Sequence, residues 1–128
     1  MARTTLVKTA INSAYPALPI VALSADLNFQ ASTGASGTNG NQFAWGDAAR
    51  LLVIAINTGI TGRTVTISSK VDPFNRTGDI TAYAVAIGAL AAPIASAWII
   101  ERTGFYQSDG MLYLEANHAE IKFAAIAI

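Results

Sequence analysis

Apolar and polar side chains alternate with a period of two over much of the chain, the signature of half-buried strands. Leu27, Phe29 and Ala31 alternate with Asp26, Asn28 and Gln30. Val65 and Ile67 alternate with Thr64 and Thr66 within Arg63–Lys70. In Ile80–Ile87 the small Ala82, Ala84 and Ala86 alternate with Tyr83, Val85 and Ile87. Arg50–Ile56 (RLLVIAI) is apolar on both faces, which predicts either a central strand or one facing a neighbouring subunit. Small and polar stretches punctuate these runs: 32–42, Asn57-Thr58-Gly59, Val71–Asp79, Ser108-Asp109-Gly110 and Ala116–Ala119. Arg50–Ile56 and Arg63–Lys70 read as a hairpin with a loop near Thr58–Gly62, and Ser108-Asp109-Gly110 as a hairpin turn into Met111–Leu114. Ala89–Ile100 reads as one strand kinked at Pro93 or as a short helical turn, and Glu120–Ile128 as the last strand. No stretch sustains a 3.6-residue period. The expectation is an all-β, single-domain β-sandwich of the jelly-roll type.

Two segments imitate membrane signals. Met1–Ala25 carries Arg3 and Lys8 ahead of an apolar stretch, but Asn12, Ser13, Pro16 and Pro19 interrupt it. The prolines forbid a regular helix and favour extended backbone before them. The predicted organisation is therefore an extended N-terminal arm over 1–24 and a sandwich over 25–128. Ile80–Ile100 is 21 residues long without a charge, enough for a spanning helix. Its period-two pattern, Gly88 and Pro93 argue for strands instead, and no membrane association is expected.

Composition sharpens the picture. The 128 residues include eight Lys/Arg and eight Asp/Glu, so the formal net charge is zero. A nucleic-acid binder needs a basic face, so none is expected. Without Cys there are no disulfides, thiolate zinc sites or Cys nucleophiles, and a single His excludes a multi-His metal site. Charged residues make up 12% of the chain, where about 25% is usual. A neutral, charge-poor surface is prone to associate. Much of the exterior is thus expected to be covered by copies of the same chain or by another protein.

Candidate chemistry is sparse. Ser108, Asp109 and His118 formally supply a Ser-His-Asp set, yet no nucleophile elbow is present, and His118 reads better as a cap on the turn before the last strand. Asp72 and Asp79 sit in a loop offering oxygen ligands for calcium, but the spacing is not that of an EF-hand and Arg76 opposes a cation. The structural reading of that loop has Asp72 capping a turn through Pro73 and Arg76 pairing with Asp79 or Asp72. Nothing in the spacing of the acids pairs two of them for glycoside hydrolysis. Trp45, Trp98, Tyr106 and Tyr113 would form a sugar-stacking platform only if the fold brought them to one face. No catalytic, cofactor-binding or metal-binding residue is expected, and no cofactor.

A resemblance points the same way. The opening MARTTLV, the string from NGNQF through LLVIAINTG to RTVTISSKVDPFNRTGDITAY, and Gln107–Leu114 (QSDGMLYL) together resemble small proteins that tailed bacteriophages encode beside their head genes. The resemblance implies a virion structural protein, a head decoration or cement protein on the outer surface of the capsid. It further implies a β-rich homotrimer seated at local threefold points, with the major capsid protein as partner. Alternatives are a tail tube, fibre or baseplate component, or a carbohydrate-binding module. Ordering an arm costs about 1–2 kcal/mol per residue. Burial of Leu6, Val7, Ile11, Tyr15, Leu18, Ile20 and Val21, on the home domain or on a neighbour, is expected to offset that, at roughly 1.5–3 kcal/mol for each large side chain.

Overall fold

A computed structural model describes residues 3–9, 30–32, 40–74, 76–85 and 95–128. They form nine strands and a single helical turn: β1 (Thr4–Leu6), β2 (Gln30–Ala31), β3 (Asn41–Ala44), β4 (Arg50–Asn57), β5 (Arg63–Ser68), β6 (Ile80–Val85), β7 (Ala95–Glu101), α1 (Arg102–Phe105), β8 (Met111–Ala116) and β9 (Ile121–Ala127). The strands make two sheets, ordered β1-β3-β8-β5-β6 and β2-β9-β4-β7, and the chain is an all-β sandwich.

The antiparallel pairs β2·β9, β3·β8, β4·β7 and β5·β6 are nested one inside the next. They are the rungs of one long hairpin turning between β5 and β6, with successive rungs divided between the sheets. Pairs β4·β9 and β5·β8 join the rungs within each sheet. This connectivity corrects two expectations. Arg50–Ile56 and Arg63–Lys70 are not a hairpin, because β4 and β5 lie in different sheets. An apolar strand needs neighbours on both sides, and β4 finds them in β9 and β7. The start of the intervening loop is held to the end of the β4·β9 ladder, with the Thr58 N–H and hydroxyl both donating to Glu120 O. Likewise Ser108-Asp109-Gly110 is a true turn, with Gly110 at φ +81° and Asp109 accepting from Met111 N–H, but it is not a hairpin turn. It follows α1 and delivers the chain from β7 in one sheet to β8 in the other.

The core lies between the sheets. Phe43, Trp45, Val65, Ile67, Leu112 and Leu114 meet Leu51, Val53, Ala55, Ile100, Ile121 and Phe123 there. At the edge where β6 and β7 lie, Tyr83 and Trp98 meet edge to face, centroids 5.2 Å apart. At the opposite edge the N-terminal residues stitch the sheets together. β1 runs parallel to β3, with Leu6 opposite Phe43 and only 5% exposed. The amide side chain of Gln30 accepts from Val7 N–H and donates to Val7 O, copying a backbone bridge. Lys8 Nζ donates to Trp45 O, and Thr9 N–H donates to Ala125 O beside the isolated bridge to Ile126.

Residues 4–9, read from the sequence as part of an arm, therefore belong to the sandwich. Of the expected arm contacts, Leu6 is buried in its own domain and Val7 is 64% exposed. Ile11, Tyr15, Leu18, Ile20 and Val21 lie outside the described residues, as does the 26–29 part of the first predicted strand. The strand alternative for Ala89–Ile100 holds over Ala95–Glu101.

Candidate interaction surfaces

The polar residues that suggested chemistry are occupied by structural work. His118 Nδ1 accepts from Glu120 N–H at 3.1 Å, the turn cap expected of it. Ser108 and Asp109 precede β8 while His118 follows it, so about 20 Å of strand separates them. The fold does not assemble the Ser-His-Asp set. Asp72 accepts from the backbone N–H of Phe74 and of Arg76, and from Arg76 Nε at 2.6 Å. The Arg76 backbone hydrogen bond, reinforced by its guanidinium, holds the Asp72 carboxyl below the ordinary aspartate range. Asp79 accepts from Ser69 N–H and Oγ–H. Among the described residues no three acidic or His side chains gather into a metal site.

Four further acids are similarly engaged. Glu115 pairs with Arg3 at 2.8 Å, Glu120 with Arg63 at 3.0 Å and Glu101 with Arg50 at 3.5 Å. Asp109 accepts from Tyr113 Oη–H at 2.6 Å, and that bond pushes the Tyr113 phenol above its usual range. The four aromatic residues considered for sugar stacking do not share a face. Trp45 is fully buried, and Trp98 is half-buried against Tyr83. Tyr106 lies under the Arg102 guanidinium, and Tyr113 under that of Arg3. A shallow depression of about 450 Å³ is lined by Ala49, Lys70, Glu101, Arg102, Thr103 and Tyr106. Arg102 there already donates to Gly46 O and Ala48 O.

What distinguishes the molecule is its exterior. The register of β4 with β7 and β9 puts Leu52, Ile54, Ile56, Ala97, Ile99, Ala124 and Ile126, together with Lys122 and the Arg50–Glu101 pair, on the face of the four-stranded sheet turned away from the core. Outer faces of sandwich sheets are normally polar. Here Ile54, Ala124 and Ile126 form a second apolar cluster with Leu52 that is buried within the single chain, while Ala95, Ala97 and Ile99 on β7 open to solvent. The outer face of the five-stranded sheet carries Gln42, Thr64, Thr66, Ser68 and Tyr113, and its charges are the matched pair Arg3–Glu115. The β5–β6 loop presents Val71 and Phe74, the latter 79% exposed on the turn that Asp72 fastens. The sequence signal for the open β7 strand was the uncharged run Ile80–Ile100; the Phe74 knob had none beyond its turn residues. No family model, curated protein or solved structure matches this chain.

Proposed function

We propose that this chain is a non-enzymatic structural protein of a tailed-phage virion, a decoration (cement) protein bound as a homotrimer to the outside of the major capsid protein lattice. The observation that carries the reading is the exterior: the open apolar stripe Ala95, Ala97 and Ile99 on β7, the exposed Val71 and Phe74, and a five-stranded sheet whose outer charges are one matched pair. Such a surface adheres by burying apolar area and neutral hydrogen-bonding groups. It avoids the desolvation of charges, which costs several kcal/mol per ion when pairing is imperfect. The exposed Val71 and Phe74 of the β5–β6 loop support the same reading, since aromatic side chains are among those on which protein interfaces concentrate their energy. The nested strand pairs support the jelly roll that the proposal assigns, a fold many capsid domains share. Shallow contacts repeated by three linked copies give tight attachment without any deep pocket.

Cryo-electron microscopy of the virion that carries the protein tests the proposal. The expected result is density for three copies at local threefold points on the outer shell. Sixfold rings along a tail, or absence from the particle, would overturn it. Binding to a glycan array, with loss on Trp98→Ala, would replace it by the carbohydrate-binding reading.

A further inference from the structure

A sheet edge offers a row of unpaired N–H and C=O groups, and proteins blunt such edges with shortness, bulges, prolines or charges. Three of the four edges here are blunted. β1 has three residues and β2 has two. β6 is irregular, its register against β5 shifting between Val65 and Ile67. The fourth, β7, is not. It keeps an unbroken register with β4 over seven residue pairs, from Arg50↔Glu101 to Ile56↔Ala95. Its sequence ASAWIIE has no proline and no charge before Glu101. Among the described residues nothing pairs with its outer side.

We propose that this edge pairs antiparallel with the same strand of a second copy, about a twofold axis at Trp98. Two four-stranded sheets then become one continuous eight-stranded sheet. The strand is self-complementary in that register. Ala97 falls opposite the partner copy's Ile99, so small meets large on the outer face. Glu101 falls opposite Ala95, and the two Glu101 carboxylates end about 20 Å apart along the seam, beyond the screening length of roughly 8 Å at physiological salt. Each carboxylate keeps its own Arg50. A parallel arrangement would place the two carboxylates side by side. The pairing also covers Ile99, 59% exposed in the single chain. The contact goes beyond the threefold assembly proposed above and is independent of it. Where both operate, three twofold seams join two trimers into a closed particle of six chains.

Light scattering on the full chain tests the seam. Ala97→Lys and Ile99→Lys each place like charges across the axis, and Thr64→Lys puts the same charge on the outer face of the other sheet. The expected result is a twofold lower mass for Ala97→Lys and Ile99→Lys than for the unaltered protein, with Thr64→Lys unchanged. Circular dichroism confirms that each variant folds, and if Ala97→Lys does not, the exposed Ile99→Lys decides. Equal masses for the unaltered protein and folded Ile99→Lys would overturn the seam, including the case in which a strand of another protein is the natural occupant. The size of the halved particle separates the two proposals: three chains support the trimer, while one chain refutes the trimer and leaves the seam standing.

Discussion

Leu6 and Val7 are adjacent, similarly apolar and equally plausible as contacts of a loose arm, yet the fold treats them oppositely. Leu6 packs against Phe43 at 5% exposure and Val7 faces solvent at 64%. Truncating a buried Leu to Ala costs about 2–5 kcal/mol, from lost transfer energy plus the cavity left behind. Since β1 is a short edge strand able to settle into the gap, the lower part of that range, about 2–3 kcal/mol, is expected for Leu6→Ala. Unfolding entropy near 2.1 cal/mol/K per residue makes each kcal/mol worth about 4 °C in a chain of 128 residues. Leu6→Ala should therefore lower Tm by about 7–11 °C. Val7→Ala, whose side chain is already wet, should change it by less than about 2 °C. Calorimetry of the two variants and the parent at one fixed protein concentration makes the comparison, because self-association makes Tm concentration-dependent. Equal, small shifts for both would refute the argument and restore residues 4–9 to a detached arm.

Three further outcomes follow from individual side chains. Asp72, held below the ordinary aspartate range by the Arg76 N–H and guanidinium, contributes order to its loop above the unfolded value. That contribution is lost as pH falls through the lowered one. The amide resonances of Phe74 and Arg76 should thus titrate with a midpoint below that of a free aspartate, and lose the transition in Asp72→Asn. Tyr113, pushed up by its hydrogen bond to Asp109, should ionise above the usual tyrosine midpoint in an ultraviolet titration and return toward it in Asp109→Asn. The indole N–H of Trp45 is buried with no hydrogen-bond partner among the described residues, a defect worth about 1–3 kcal/mol. Trp45→Phe removes it while leaving a small void, so denaturant unfolding should show a loss of less than about 1.5 kcal/mol.

Arg63–Lys70 was legible as a strand because it has one wet face, and Ile80–Ile87 because small and large side chains alternate along it; the strands are found over Arg63–Ser68 and Ile80–Val85. The doubly apolar Arg50–Ile56 left two placements open, a central strand or one facing a neighbouring subunit, and the structure puts it between β9 and β7. Which strands pair was not legible. Short loops ordinarily signal hairpins, but in this connectivity the loop from Asn57 to Arg63 crosses between sheets, and its tie to Glu120 spans 62 positions of sequence. The N-terminal residues misled for a physical reason too. Thr4–Leu6 is too short to show a period, and its stability comes from distant partners, Asn41 to Phe43 in β3 and Gln30 beside β9. At the surfaces, the sequence revealed how little charge was available but not where the neutral side chains would gather. The His118 cap and the Asp72–Arg76 turn were readable because each is local, spanning two and four residues.

The central claim is that a chain this poor in charge keeps its exterior out of water by pressing it against companions. Sedimentation equilibrium of the full-length protein at physiological salt tests this most directly. The account predicts a whole multiple of the 13.3 kDa chain mass, with three chains as the basic unit. A stable single-chain mass, maintained to high protein concentration, would contradict it.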